Sequence, residues 1–456
     1  MTPATLAMQT HDWYYAVGEL VKVLWVMAFG ACIGSLINVL VYRIPLGLDY
    51  VRPTSQCPSC ETHLTWRENV PIFGWLFLGG RCRFCRSRIS AEYPTVEAFV
   101  AILFAMVYLT LYAEDALWHG KVFAAIRPEW AAGGFVETWP AFVIVLVLFS
   151  CLVTMMLIDA KTCLIPMELT WVPLAVALVG HPLHALWIER TRQHLTSTAT
   201  GEVWTMATPG HFGWWWIGGA LGGAAGLIIS NVLLLTGLIK RSFADYPEWE
   251  KAEQERMQAE TPPETGDRFD LMPVRPESPT DLWIRYPHAR REMVREFIFL
   301  APCIGLGLTG AALAFRFAGP RSANFGDAVL FDHAAPLWLV ALAGVLMGYL
   351  IGGGAVWAMR IFGSLGAGKE GMGVGDVHMM AAVGACLGWI DPVLAFFGAA
   401  FLGVGWAVAG RILSGGFKRA MPFGPFLAVA TILGWFGKPM LERLLSVIFK
   451  SPIDLP

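Results

Sequence analysis

Ten runs of apolar residues dictate what this chain can fold into, because most of them are about 20 residues long, the length a helix needs to cross a bilayer. They lie near residues 15–42, 95–113, 140–158, 169–188, 213–239, 296–317, 336–359, 377–390, 393–411 and 423–437. A water-soluble core has no use for so many, whereas in lipid each run satisfies its own backbone hydrogen bonds by becoming a helix. The expected class is therefore an all-α polytopic membrane protein of about ten transmembrane helices. With only 15% charged residues, the chain leaves little else to fold. Its 48 glycines and 20 tryptophans suit close helix packing and anchoring at the bilayer interface. A net charge of -2 gives no reason to expect a nucleic-acid partner, and the expected medium is the lipid bilayer. The first run lacks a basic n-region and a small-residue cleavage site, so it reads as a retained helix. After Lys438, Leu441, Leu444, Leu445, Ile448 and Phe449 recur at helical spacing and predict an amphipathic tail.

Loop charge predicts an orientation. Residues 1–14 contain no Lys or Arg, while the loop after the first helix carries Arg43, Arg52, Arg67, Arg81, Arg83, Arg86 and Arg88. By the positive-inside rule the N-terminus is outside and that loop is cytoplasmic. Counting forward, Lys240-Arg241, Arg360, Lys369 and Lys418-Arg419 fall on the same side. The expected division is an outer N-terminus and first helix (1–43), a cytoplasmic domain (44–94), a membrane bundle (95–240), a charged cytoplasmic insert (241–294) and a second bundle with the tail (295–456). The insert is rich in Glu, Asp, Pro and Arg and is expected to be mostly disordered or weakly helical.

Two aspartates stand where a charge is costly. An ionised group at membrane depth costs at least ~2.5–3.5 kcal/mol, and such groups tend to be functional. Asp159 closes the third run in Leu157-Ile158-Asp159, and Asp376 opens the eighth in Gly373-Val374-Gly375-Asp376. The helix count puts both at the cytoplasmic boundary. Taken alone, each is an ordinary charge at a helix end; together they are a candidate acid–base pair. Glu370 and His378 flank Asp376 and either tune it or serve as solvated loop groups.

Cys57-Pro58-Ser59-Cys60 and Cys82-Arg83-Phe84-Cys85 form two CxxC knuckles in the first cytoplasmic loop. This is the ligand spacing of a structural zinc ribbon, with four thiolates to one Zn²⁺. Disulfides or reduced thiols are the alternative, and a cytoplasmic loop disfavours disulfides. The neighbouring Arg81, Arg83, Arg86 and Arg88 are expected to favour the thiolates. Cys32, Cys151, Cys163, Cys303 and Cys386 lie in or beside apolar runs and read as core residues.

The order of motifs resembles the type IV prepilin peptidases, the bifunctional leader peptidase/N-methyltransferases of bacterial inner membranes and GxGD-type aspartyl membrane proteases. The resemblance rests on Gly34-Ser35-Leu36-Ile37-Asn38-Val39 with Tyr42-Arg43-Ile44-Pro45, on the knuckle loop with Asn69-Val70-Pro71 and Gly74-Trp75-Leu76, and on Tyr93-Pro94-Thr95-Val96-Glu97. It continues through Leu157-Ile158-Asp159 with Ile165-Pro166, Gly373-Val374-Gly375-Asp376, and Pro422-Phe423-Gly424-Pro425-Phe426-Leu427-Ala428. It implies cleavage of a basic leader, after glycine, from pilin-like or pseudopilin precursors on the cytoplasmic side. Methylation of the new N-terminal amine by S-adenosyl-L-methionine would follow. Asp159 and Asp376 would be the catalytic pair, and Cys57, Cys60, Cys82 and Cys85 the zinc ligands. Asn38, Arg43 and Glu97 stay open between two readings: structural groups, with Asn38 bridging helices, Arg43 snorkelling to the headgroups and Glu97 hydrogen-bonding, or parts of the methyl-donor site. Gly373 and Gly375 would let a substrate strand approach closely. The chain departs from the family's pattern in its ten helices rather than about eight, in its insert, in Met167-Glu168 where aspartate is usual, and in His378 where lysine is usual.

Helix direction suggests roles. Asp376 begins a helix, whose dipole favours its anion, and Asp159 ends one, whose dipole disfavours it. Asp376 is thus expected as the resting base and Asp159 as its protonated partner. Two other readings stay open: a peptidase without methyltransferase activity, and a proton-coupled transporter with a zinc-ribbon regulatory domain. The transporter would place its carboxylates near the midplane, within internal helical repeats.

Overall fold

The structure, a computed structural model, describes residues 3–49, 52, 55–57, 59–113, 127–191, 206–210, 213–246, 248–249, 251–252, 255–256, 288–318, 334–367, 372–414 and 422–451. Its helices are α1 (Pro3–Arg43), α2 (Phe73–Phe77), α3 (Glu92–Tyr112), α4 (Phe135–Thr162), α5 (Met167–Thr191), α6 (Trp214–Leu235), α7 (Ala289–Ala318), α8 (Leu337–Ala367), α9 (Val374–Leu387), α10 (Ile390–Ser414) and α11 (Gly424–Phe449). Each of the ten apolar runs falls on one of them. Among the described residues, eight helices are long and apolar enough to cross a membrane: α1, α3 to α8 and α10. The eighth run forms the shorter apolar helix α9, of 14 residues. The tail after Lys438 is not a separate helix, since α11 runs through Pro439 to Phe449.

The bundle is organised around α4. Ile144, Val145, Leu146, Leu148, Phe149, Cys151, Leu152, Val153 and Met155 on this helix are all buried, so apolar side chains packed in the interior cover more than half of its circumference, as a central helix requires. It packs against α1, α3, α5, α9 and α11. The short α9 lies along α8 where Gly348 and Gly384 face each other: a Cβ on either would collide with the other's carbonyl, so only glycine permits this approach. That contact sets Asp376, at the start of α9, beside the end of α8. A second seam joins α6 to α7, where Gly218, Gly222 and Gly226 meet the backbone of Gly310, Leu306 and Pro302.

The beginning of the charged insert departs from the expectation of a segment without a core. Phe243 and Tyr246 are buried with Met293 and Ile361, and Trp249 packs against them. Three aromatic residues within seven positions supply apolar area that the average composition conceals. The rest of the insert, residues 257–287, lies outside the described residues.

Candidate active site and metal centre

The ends of three helices meet at the two aspartates. Asp159 lies in the last turn of α4, which Cys163 closes in the left-handed conformation at φ 54. Leu164-Ile165-Pro166 then turns the chain into α5. Gly373 caps α9 in extended geometry, with φ -68 and ψ 148, which makes Asp376 the third helical residue. The Asp376 carboxylate accepts the Gly373 N–H, the return half of a capping box. The Asp159 carboxylate accepts the N–H of Gly424, the first residue of α11. Both aspartates are buried, at 5% and 7% exposure, and Asp376 feels the charges of Asp159 and Arg360.

Ile165 is the wedge between them. A Cβ on Gly375 would lie 2.7 Å from the Ile165 Cβ, and one on Gly424 would lie 3.1 Å from its Cδ1 and 2.5 Å from Asp159 Oδ2. Two motifs distant in sequence therefore use glycine for one reason: room for Ile165 and the carboxylates. His378 is half-buried, two residues beyond Asp376, and so on a different face of α9. Glu370 lies outside the described residues. The expected electrostatic asymmetry of the pair does not survive. Asp159 does end its own helix, but it faces the N-terminus of α11, which favours its anion as α9 favours that of Asp376.

Two residues of this site were given no place in it by the sequence reading. Gly424 carried a local signal, since Pro422 and Pro425 around it mark a helix start, but nothing linked it to Asp159. Arg360 looked like a loop cation of the positive-inside kind; it is 1% exposed.

The four knuckle cysteines converge on a single point. Their Sγ atoms all lie within 4.8 Å of one another, with Cys57 to Cys85 at 3.8 Å and Cys60 to Cys82 at 4.0 Å. Thiolates around a tetrahedral Zn²⁺ at ~2.3 Å stand about 3.8 Å apart, so the quartet fits that ion. The two knuckles repeat one backbone plan. Cys57 N–H donates to Thr62 O and Cys82 N–H to Ser87 O, and Glu61 and Arg86, each following a second cysteine, take positive φ of 54° and 59°. Burial pushes the Cys57 thiol up, but hydrogen bonds from the Ser59 and Cys60 backbone outweigh it and bring it down to about 6. Hydrogen bonds from Ser87 lower Cys85. Of the arginines expected to favour thiolates, Arg83 instead pairs with Glu68 at 2.8 Å. Thr65 and Arg83 together hold the Glu68 carboxyl well below its usual range, at about 2.

Between the knuckles and the adjoining ends of α1 and α3 is a cavity of about 460 Å³. Asn38, Arg43 and Glu97 all line it, with Glu68, Asn69 and Trp75 among the others. Asn38 Nδ2 donates to Tyr93 O at 3.0 Å, Arg43 Nη1 donates to Asp49 O at 3.1 Å, and Glu97 accepts the Ile72 N–H at 2.6 Å. The first bond joins α1 to the start of α3, and the other two tie the knuckle domain to these membrane helices.

Comparison with known proteins points the same way. The bacterial peptidase A24 N-terminal domain matches residues 28–111. The prepilin leader peptidase/N-methyltransferase of Myxococcus xanthus (strain DK1622) is 36% identical over 146 residues, 32% of this chain and 36% of that protein. The protein of that name from Klebsiella pneumoniae is 33% identical over 172 residues, 33% of this chain and 64% of that one. The one from Bacillus subtilis (strain 168) is 38% identical over 98 residues, 22% of this chain and 40% of that one. The matches thus span between about a third and two-thirds of these relatives' lengths. No solved structure matches the chain. Shared motifs, the helical membrane architecture and these relatives agree, and over residues 28–111 and the aligned segments the chain is similar to the bacterial prepilin leader peptidase/N-methyltransferases.

Proposed function

We propose that this chain cleaves the leader from prepilin-like or pseudopilin precursors with Asp159 and Asp376, and then N-methylates the exposed amine. The observation that carries the reading is the meeting of the two buried carboxylates at the ends of α4 and α9, under the N-terminus of α11. Two carboxylates at close range share a proton, because both cannot ionise freely, and their titration belongs to the pair. One takes a proton from water as it attacks the scissile carbonyl; the other, protonated, polarises the carbonyl oxygen and then gives its proton to the leaving amine nitrogen as the C–N bond breaks. A position at helix ends rather than mid-span gives the pair access to water and to the junction between a charged leader and an apolar helix. That position also speaks against the transporter reading. Loop charge supports the cytoplasmic face of a bacterial inner membrane as the side on which this occurs.

For methyl transfer, the cavity beneath the knuckles is the proposed donor site. S-adenosyl-L-methionine, when bound, supplies an electrophilic methyl group. Asn38, Arg43, Glu68 and Glu97 bring polar groups of both signs to the walls, and Trp75 brings an aromatic ring. Zinc on four thiolates leaves no open coordination position, so its part is to hold the domain together. Knuckles and cavity together favour the bifunctional reading over a peptidase alone.

The test is direct. The chain in detergent is mixed with a fusion carrying a Lys/Arg-rich leader that ends in glycine, followed by an apolar helix, and with methyl-tritiated donor. Loss of the leader mass and label on the new N-terminus are expected; an intact, unlabelled fusion refutes the proposal. Filling the cavity with Leu64→Trp should raise the donor KM at least about tenfold, a loss of roughly 1.4 kcal/mol, with cleavage unchanged. Gly424→Ala puts a methyl against Asp159 Oδ2, and displacing a reacting group by about 1 Å costs on the order of 100-fold. Single-turnover cleavage should slow by that factor, and a rate within about twofold of wild type would remove Gly424 from the site.

A further inference from the structure

The largest fully buried side chain described is a cation that the cleavage mechanism does not use. Arg360, near the end of α8, donates from Nε to Glu296 Oε1 on α7 at 3.0 Å and from Nη1 to Met372 O at 2.5 Å. The carbonyl of Met372 and the N–H of Gly373 belong to one peptide unit, and that N–H donates to the Asp376 carboxylate. A continuous chain therefore runs from Glu296 through the guanidinium and the Met372–Gly373 peptide to Asp376.

We infer that Arg360 is a positioning residue for Asp376, acting through the Met372–Gly373 peptide and held in place by Glu296 and the start of the charged insert. Arginine suits this task because its planar fork places two donors at fixed angles, one for each partner. Bound to the carbonyl, the guanidinium polarises the peptide and strengthens the N–H at its other end, as in any cooperative hydrogen-bonded chain in a low-dielectric interior. The grip on Arg360 comes from outside the catalytic helices. Glu296 also accepts Ser242 Oγ at 3.0 Å and Trp357 Nε1 at 2.8 Å. The guanidinium carbon lies 5.4 Å from the centre of the Phe243 ring. The Phe243 N–H is fixed in turn by the fully buried Glu292 at 3.0 Å. Ser242 and Phe243 open the insert, and Glu292 and Glu296 lie on α7, so the extra segments of this chain reach the catalytic loop through one cation.

The inference rests on the cleavage reading, and its test separates the two. Wild type, Arg360→Met and Arg360→Lys are purified in detergent and assayed on the basic-leader fusion, with monodispersity and bound zinc as checks that the chain has folded. Arg360→Met should lose about 100-fold in kcat with KM within about threefold, the split expected when a reacting group is misplaced but substrate binding is intact. Arg360→Lys keeps the charge and one donor, and should recover about tenfold of that loss. An Arg360→Met enzyme at wild-type kcat overturns the inference alone. So does a loss without rescue by Arg360→Lys, or a loss that falls equally on KM. A wild type that leaves the fusion whole overturns the cleavage reading and this inference with it.

Discussion

Asn in place of either Asp159 or Asp376 is expected to lower cleavage of a basic-leader precursor by about three orders of magnitude, within the range that general acid–base catalysis supplies. Asparagine keeps the size of the side chain and still accepts a hydrogen bond, so the Gly424 N–H to residue 159 and the Gly373 N–H to residue 376 retain a partner. What it removes is the exchangeable proton. With one carboxylate left, either no base activates water or no acid polarises the carbonyl. The double variant should be no worse than the single ones, because the two groups act as a unit and their effects do not add. The measurement is conversion of the fusion by mass, with the variants at equal membrane abundance. Cleavage by either single variant at the wild-type rate would end the two-aspartate mechanism. Methylation of a peptide supplied with its amine already free should persist in both, since the cavity of Asn38, Arg43 and Glu97 contains neither aspartate.

What could be read from the sequence followed the range of the interactions that fix it. All ten apolar runs are helices, because length and hydropathy are properties of each run alone. The cysteine quartet was legible for a similar reason: two CxxC knuckles determine their own local backbone, and the structure repeats one plan in both. The aspartates were conspicuous through their cost in an apolar setting. Their environment was not. The helix direction of α4 gave Asp159 a dipole bias that the N-terminus of α11 reverses, and that encounter is a tertiary fact. Arg360 has the composition of a loop cation and is interior only because Glu296, on another helix, neutralises it. Phe243, Tyr246 and Trp249 were lost in the average of a charged segment, although three aromatics so close together are a local signal of a buried anchor.

Loss of the metal should separate the two activities. Cys57→Ser with Cys82→Ser removes one ligand from each knuckle and should abolish bound zinc and methyl transfer, the latter by at least about 100-fold, while leader cleavage stays within about threefold. The first half follows from how little else supports the domain. Between α1 and α3 the described residues hold the five-residue α2, a short 3-10 turn at Ile44–Leu46 and two isolated bridges, Gln56 with His63 and Arg81 with Arg88. So small a segment cannot bury enough apolar surface to fold unaided, whereas a four-ligand zinc site contributes on the order of 10–16 kcal/mol. Without it the walls that Cys57, Cys82, Ser87 and Trp75 give the cavity are lost. The second half follows from where the aspartates are held. The ends of α4, α9 and α11 form that site, and the exposed Lys161–Glu92 pair is the one ion pair between α3 and α4 among the described residues. An exposed pair of this kind contributes about 0–1 kcal/mol, too little to carry collapse of the knuckles into the bundle. Metal analysis, donor-label incorporation and fusion cleavage on the same preparation decide the matter. A wild type without zinc, or a zinc-free variant that methylates normally, would rule out the structural-metal reading; parallel loss of both activities would show the two sites to be one.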